Sequence, residues 1–338
     1  MEQSFTAREP EVRVLVADDS AFARRMISEI LSRAPGIRVV GTASDGREAV
    51  SKALLLEPHV LTLDVMMPRL DGLHALQLLA SLGSPSVLML SHFTKEGAEL
   101  TLRALELGAL DFVDKGSPGL AQELPQKVRA LAGKKPPRRP PGRCPVKELP
   151  RGSGRIKAVA VGASTGGPQA LQILLPAFPP DVRFGLLVAQ HMPRGFTAPF
   201  AQRLQEMCRL QVREARHGDK LHDALVLVAP AGMNMTLEKD LTVRLQRHPQ
   251  SPYRPSIDVL FASAAEALGS RAMGVLLTGM GADGLKGAQA LKARGAPVLA
   301  QDEETSVVFG MPKVAQKAGV VDKMVSIIDM AEAIASLA

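Results

Sequence analysis

Two sets of residues in this 338-residue chain could do chemistry, and each set sits at the ends of strand-like runs. In the first, Asp18 and Asp19 follow an apolar run at 12–17, and Asp64 follows one at 60–63. Ser91 follows a run at 86–90 and Lys115 one at 110–113. Three carboxylates gathered at one point repel, and a hard divalent cation such as Mg²⁺ offsets that cost. Such an ion also neutralises charge on a phosphoryl group passing to an aspartate. In the second set, Ser164 lies in Gly162-Ala163-Ser164-Thr165-Gly166, His191 in "LLVAQHMP" and Asp283 in "VLLTGMGADG". A serine nucleophile needs a base, and the base needs a group that orients it.

Each residue also has a plain structural reading. Any one of the acids could cap a helix or sit solvated in a loop. His191 could be a capping residue, and Asp283 a turn residue before Gly284. The joint occurrence at successive strand ends favours chemistry. Pro168 suits the first turn of a helix, so Ser164 falls just before a helix N-terminus, where backbone N–H groups face developing negative charge. A phosphate-binding loop competes for the same glycines. The segment lacks both the Lys-Ser/Thr ending and the full Gly-x-Gly-x-x-Gly pattern of such loops. An α/β-hydrolase is disfavoured by order, because its histidine follows its acid and no histidine follows Asp283 here.

The elements that must position these residues read as strand–helix alternations. Short, continuous apolar runs at 12–17, 39–41, 60–63, 86–90 and 110–113 suit strands buried on both faces of a parallel sheet. Amphipathic stretches at 21–31, 47–56, 72–82 and 95–107 lie between them, giving five β/α units and a doubly wound fold. In such a sheet the carboxyl ends of the strands form one crevice, which brings the acidic set together. Runs at 156–161, 184–189 and 273–277 repeat the pattern in the second half, each ending at a polar or glycine-rich loop. Segments 225–229 and 235–245 read as a hairpin or a sheet edge. The expected whole is two α/β domains.

Between them, 133–154 carries Pro136, Pro137, Pro140, Pro141, Pro145 and Pro150 among basic residues, the composition of an extended, semi-rigid spacer. Residues 134–157 hold nine Lys/Arg against Glu148 alone; removing them from the chain's net +7 leaves the remainder near −1. The basic charge therefore belongs to a linker and not to a folded nucleic-acid-binding face, and one Tyr with no Trp offers little for base stacking. A transcription factor is disfavoured on the same ground. No apolar run reaches about 18 residues, so no membrane insertion is expected. The first residues show no basic-then-apolar signal region, and a cytoplasmic location is expected. Cys144 and Cys208 form no metal or disulfide framework and read as bystander thiols.

Residues 12–132, with "VLVADDS", "LTLDVMMPRLDGL", "LMLSHF" and "ALELGALDFVDKG", resemble the receiver domain of bacterial response regulators. The resemblance implies Asp64 as phospho-acceptor, Asp18, Asp19 and Asp64 as Mg²⁺ ligands, Ser91 and Lys115 as phosphoryl contacts, and Phe112 as a switch aromatic. Gly116 departs from the proline that the family places after its lysine, which bears on the shape of that loop. Residues 155–338, with "AVGASTGGP", "QHMPRGFTAPFAQRL", "APAGMNM", "RPSIDVLFASAA", "LLTGMGADGLKG" and "AQDEETSVVFGMP", resemble the catalytic domain of chemotaxis-type protein-glutamate methylesterases. This implies Ser164 as nucleophile, His191 as base, Asp283 as orienter, and the backbone N–H groups of Thr165 and Met280 as oxyanion donors. Asn234 stands where that family's pattern has histidine, which points to a different substrate rim.

The resemblance thus implies a flavodoxin-like receiver over 11–132, a linker over 133–154 and a Rossmann-like, mostly parallel serine-hydrolase domain over 155–338. The implied activity is phosphorylation-activated hydrolysis of glutamate methyl esters on methyl-accepting chemoreceptors, with deamidation of receptor glutamine. A histidine kinase is the implied phosphodonor, and ester hydrolysis needs no cofactor. The resemblance also implies a receiver that covers the catalytic crevice until it is phosphorylated. A non-catalytic regulator is the alternative, and the intact Ser/His/Asp set argues against it.

Overall fold

The computed structural model describes residues 11–83, 85–91, 95–136, 155–248 and 251–338. The chain divides into two compact units, Met1–Pro136 and Pro137–Ala338. The central part of the expected spacer, 137–154 with Cys144, lies outside the described residues.

In the first unit the strands are β1 (Val12–Ala17), β2 (Ile37–Ala43), β3 (Val60–Asp64), β4 (Ser86–Ser91) and β5 (Asp111–Asp114). They form a five-stranded sheet in the order β2-β1-β3-β4-β5, with every pairing parallel. Helices α1 (Ala21–Ser32), α2 (Gly46–Leu56), α3 (Gly72–Ser81), α4 (Lys95–Glu106) and α5 (Leu120–Leu131) follow the strands in turn. Local chemistry starts several of them. The side chains of Ser20, Asp45 and Asp71 accept hydrogen bonds from the amides of Ala23, Glu48 and His74 at the starts of α1, α2 and α3. β3 and β4 are buried at every residue, because helices cover both sheet faces. The chain leaves β1 for an edge and returns to β3 on its other side, so the switch point lies at the carboxyl ends of β1 and β3.

The second unit has a seven-stranded sheet in the order β14-β13-β12-β6-β7-β9-β8, again parallel throughout. Its strands are β6 (Ala158–Ala163), β7 (Gly185–Gln190), β8 (Gln211–Glu214), β9 (Leu225–Val228), β12 (Ala272–Leu276), β13 (Val298–Gln301) and β14 (Lys323–Val325). β10 (Asn234–Leu237) and β11 (Val243–Gln246) form a separate antiparallel hairpin. The helices are α6 (Gly167–Leu174), α7 (Thr197–Met207), α8 (Ile257–Leu268), α9 (Leu285–Ala293), α10 (Met311–Lys317) and α11 (Met330–Leu337). Fully buried Leu, Val and Phe side chains fill both faces of the sheet, each worth roughly 1.5–3 kcal/mol of burial.

The hairpin-or-edge reading of 225–229 is corrected. β9 is an interior strand, parallel to β7 on one side and β8 on the other. A loop rather than a helix joins β8 to β9, and this removes the usual cue for a parallel crossover. The hairpin expectation holds only for the segment after it, as β10 and β11.

Candidate active site and phospho-acceptor site

In the second unit, β6 lies between β12 and β7, so three neighbouring strands end side by side. Ser164 follows β6, His191 follows β7, and Asp283 comes from the loop after β12. The strand order also reverses here: the chain leaves β6 for β7 and later fills the sheet on the other side from β12 outward. The three residues therefore meet at the switch point of the sheet, where open α/β folds have their crevice.

The geometry is that of a proton relay. His191 Nδ1 lies 3.2 Å from Ser164 Oγ, and His191 Nε2 lies 2.9 Å from Asp283 Oδ2. The turn that presents Ser164 is held tightly. Its carbonyl accepts from Gly167 N at 2.8 Å and from the Gln190 side-chain amide at 2.9 Å, while its own amide donates to Thr278 O at 3.1 Å. Gly166 adopts φ +76°, and a Cβ there would lie 2.6 Å from Val307 Cβ. Only glycine meets both conditions without strain.

The oxyanion candidates flank the serine. A Cβ on Gly279 would lie 2.7 Å from Ser164 Cβ, so the backbone leading to Met280 passes directly against Ser164. Among the described residues, neither the Thr165 nor the Met280 amide donates to a protein acceptor. Thr165 is buried, and its carbonyl accepts from the Thr278 hydroxyl at 2.9 Å, which fixes the peptide next to the serine.

Asp283 is buried and accepts from Ile257 N at 2.8 Å, Asp258 N at 3.1 Å and Ser256 Oγ at 3.2 Å, all at the start of α8. Burial works to raise its carboxyl, but His191 and these amides outweigh it and hold it below the usual carboxylate range. Asp258 returns the contact, accepting from Gly284 N at 2.9 Å and Gly287 N at 2.8 Å at the start of α9. Two helix N-termini thus exchange carboxylates, each favoured by the other's positive end. Burial and the neighbouring Asp283 push the Asp258 carboxyl up.

Several contributors carried little sequence signal. Gln190 is 1% exposed and donates to both Ser164 O and His191 O, at 2.9 and 3.0 Å, tying the backbones of those two residues together. Its signal was an amide closing the apolar run of β7. Ser256, Asp258 and Tyr253 join the site from a segment more than sixty residues past His191, with no periodicity to mark them. Asn234 is not at the substrate rim. It is fully buried in β10, where its Oδ1 accepts from Ser256 N at 3.0 Å, behind the residue that supports Asp283. Burial holds the Cys208 thiol up at about 12, which leaves it unreactive at neutral pH.

In the first unit, Asp18, Asp19 and Asp64 each offer a carboxylate oxygen within 4.8 Å of the others. Lys115 Nζ lies 2.9 Å from both Asp18 Oδ2 and Asp64 Oδ2. Burial, aided by the carboxylates of Asp18 and Asp19, holds Asp64 above the usual range despite Lys115. Burial acts to lower the Lys115 ammonium, yet Asp18 and Asp64 hold it above its ordinary value. One ammonium against three carboxylates leaves two negative charges uncompensated, and an all-carboxylate oxygen set is the kind Mg²⁺ takes. Ser91 is buried at the end of β4, and Phe112 is buried in β5 with Lys127 Nζ 5.7 Å from its ring centroid. Gly116 N donates to Asp114 Oδ1 at 2.9 Å, a bond that proline could not make.

A serine–histidine–carboxylate set at the switch point of one parallel sheet, in a chain that also gathers three aspartates and a lysine at the strand ends of another, is the arrangement expected of a receiver-linked acyl hydrolase. Family models agree with both halves: residues 14–129 match the response regulator receiver domain and residues 159–334 match the CheB methylesterase. The chain belongs to the CheB methylesterase family and carries a response-regulator receiver domain. It is 41% identical to protein-glutamate methylesterase/protein-glutamine glutaminase 1 of Geobacter sulfurreducens, over 97% of this chain and 98% of that one. The protein-glutamate methylesterase/protein-glutamine glutaminase of Archaeoglobus fulgidus is 42% identical, over 96% of this chain and 97% of that one. The solved CheB methylesterase catalytic domain of Thermotoga maritima superposes with a TM-score of 0.52 at 37% identity, covering 53% of this chain and 97% of that domain. Among the described residues no helix is long and apolar enough to cross a membrane.

Proposed function

We propose that this chain is a phosphorylation-activated protein-glutamate methylesterase acting on methyl-accepting chemoreceptors in adaptation. Ser164 Oγ attacks the γ-carbonyl of a methylated glutamate while His191 Nδ1 takes its proton. Asp283 steadies the imidazolium through Nε2, and the N–H groups of Thr165 and Met280 receive the oxyanion. Collapse expels methoxide, which leaves as methanol with the proton from His191. Water, deprotonated by the same imidazole, then attacks the acyl-serine; its ester bond breaks, His191 returns the proton to Ser164 Oγ, and the receptor side chain leaves as glutamate. Deamidation of receptor glutamine follows the same course with ammonia as the leaving group.

The observation that carries this reading is the continuous Ser164–His191–Asp283 relay, at 3.2 and 2.9 Å, on adjacent strand ends. For the receiver, Asp64 is the proposed acceptor of a phosphoryl group from a histidine kinase, with Ser91 and Lys115 contacting it and Phe112 responding. Asp18, Asp19 and Asp64 would hold Mg²⁺, which when bound supplies positive charge against the transferred phosphoryl oxygens. A cytoplasmic location belongs to the same proposal, because such kinases draw on cytoplasmic ATP. The proposed division is receiver 11–132, linker 133–154 and catalytic domain 155–338.

The test is methanol release from membranes bearing methyl-esterified receptors. The full chain with a small phosphodonor and Mg²⁺ should release it, and Ser164→Ala should lose several orders of magnitude, as expected for a triad member. Retention of more than about a tenth of the rate would remove Ser164 as nucleophile.

A further inference from the structure

Tyr253 is the single tyrosine of a chain without tryptophan, and it lies flat against His191. The ring centroids are 4.4 Å apart and the planes differ by 9°. Tyr253 belongs to the segment entering α8, whose first residues hold Asp283. One stretch of chain therefore supports the carboxylate at Nε2 and also covers a face of the imidazole. The phenol end reaches the loop between Gly279 and Asp283, since a Cβ on Gly281 would lie 3.5 Å from its hydroxyl. Tyr253 remains 42% exposed, whereas the His191 side chain is only 12% exposed.

We propose that Tyr253 is a positioning residue for the general base: its ring face holds the His191 imidazole in the plane joining Ser164 to Asp283 and stabilises the imidazolium formed during attack. The proposal rests on the reading of His191 as that base. Two neutral rings stacked face to face set like quadrupoles against each other, whereas a cation over an aromatic face is attracted. The contact thus strengthens as His191 gains its proton. An interaction stronger in the transition state than in the ground state raises kcat and not merely binding. The other titratable and polar groups facing the imidazole are Asp283 at Nε2 and Ser164 at Nδ1, with Asp258 of α8 behind Asp283. Replacing Tyr253 changes none of their identities.

The experiment uses the full chain with a small phosphodonor, Mg²⁺ and methyl-esterified receptor membranes. Tyr253→Phe should stay within about twofold of the parent, because it keeps the ring face. Tyr253→Leu should lower kcat about five- to tenfold with KM little changed, and move the acid limb of kcat/KM down by about half a pH unit to one. Tyrosine emission has a single source here, so in the parent it should step with pH at the midpoint of that acid limb. The step should vanish in His191→Gln.

Unchanged kcat and acid limb in Tyr253→Leu would overturn the proposal, as would an equal loss in Tyr253→Phe. A change in KM alone would also overturn it, since Tyr253 would then act through substrate contact. If Tyr253→Leu melts below assay temperature, the emission of the parent decides: a step at the acid limb supports the proposal and no step overturns it. Failure of the underlying reading looks different. His191→Gln would remain active, and the emission step would have no counterpart in the rate profile.

Discussion

Asp283 meets two kinds of partner at once, the His191 ring and the first amides of α8. Asparagine in its place can keep Asp258 N and Ser256 Oγ on its carbonyl, but its N–H₂ then faces both His191 Nε2 and Ile257 N, which share Oδ2, and it favours the wrong tautomer. It also cannot balance the imidazolium. Asp283→Asn should therefore lose activity heavily, though less completely than Ser164→Ala; a pH–rate profile superimposable on the parent's would remove Asp283 from the mechanism. The same carboxyl predicts a pH dependence of stability. Its folded-state value lies below the ordinary 3.8, so its contribution is present above that value and is lost as pH falls through the lower, folded one. The melting-temperature gap between parent and Asp283→Asn should accordingly close as pH is taken below 3.8. Gln190→Met keeps the volume but removes both donated bonds, at a cost of about 1–3 kcal/mol. Reduced kcat with KM held is the expected kinetic result, and an unaltered kcat would limit Gln190 to a structural part.

At the scale of elements, catalytic alignment depends on helix starts as much as on strand ends. Ser256 accepts from Val259 N at 3.4 Å and is within 3.2 Å of Asp283 Oδ1, so it caps α8 and supports the triad with one hydroxyl. Ser256→Ala should cost about 1 kcal/mol in cap stability. It should also lower kcat several-fold, while Ser256→Thr restores both; loss of stability with full activity would separate the cap from the site. The strand ends themselves were readable in advance. Strands of a wholly parallel sheet are buried on both faces, so they stand out as apolar runs, and the polar residue closing each run lies at the crevice. β8, β13 and β14 were not readable, being three or four residues long and at or near the sheet edges. The local pattern at β9, two apolar segments with a short connection, fits a hairpin better than a pairing with distant β7.

For the whole molecule, the proposed function couples Asp64 in one unit to Ser164 in the other. Phosphorylation of Asp64, as proposed, would add negative charge beside Lys115, and such a local change can bias a two-state switch. Residues 155–338 alone should therefore release methanol faster than the unphosphorylated full chain, and a phosphodonor with Mg²⁺ should close the difference. Equal rates without donor would rule out restraint by the receiver. Asp64→Asn should hold the low basal rate with donor present, and omission of Mg²⁺ from the parent should have the same effect; a donor response in Asp64→Asn would put the phosphorylated residue elsewhere.

Local pattern alone points to two α/β units and marks Asp18, Asp19, Asp64, Ser91 and Lys115 at strand ends in one, and Ser164, His191 and Asp283 in the other. Those residues are encoded by local pattern, an apolar run and the polar residue that ends it. Long-range packing makes β12, β6 and β7 neighbours, rests Asp283 on the start of α8, and buries Asn234 behind Ser256 rather than at the rim. It alone brought Tyr253 onto His191. Strand order and helix-end contacts arise from packing between segments distant in sequence, and no local periodicity records which distant segment a residue will meet.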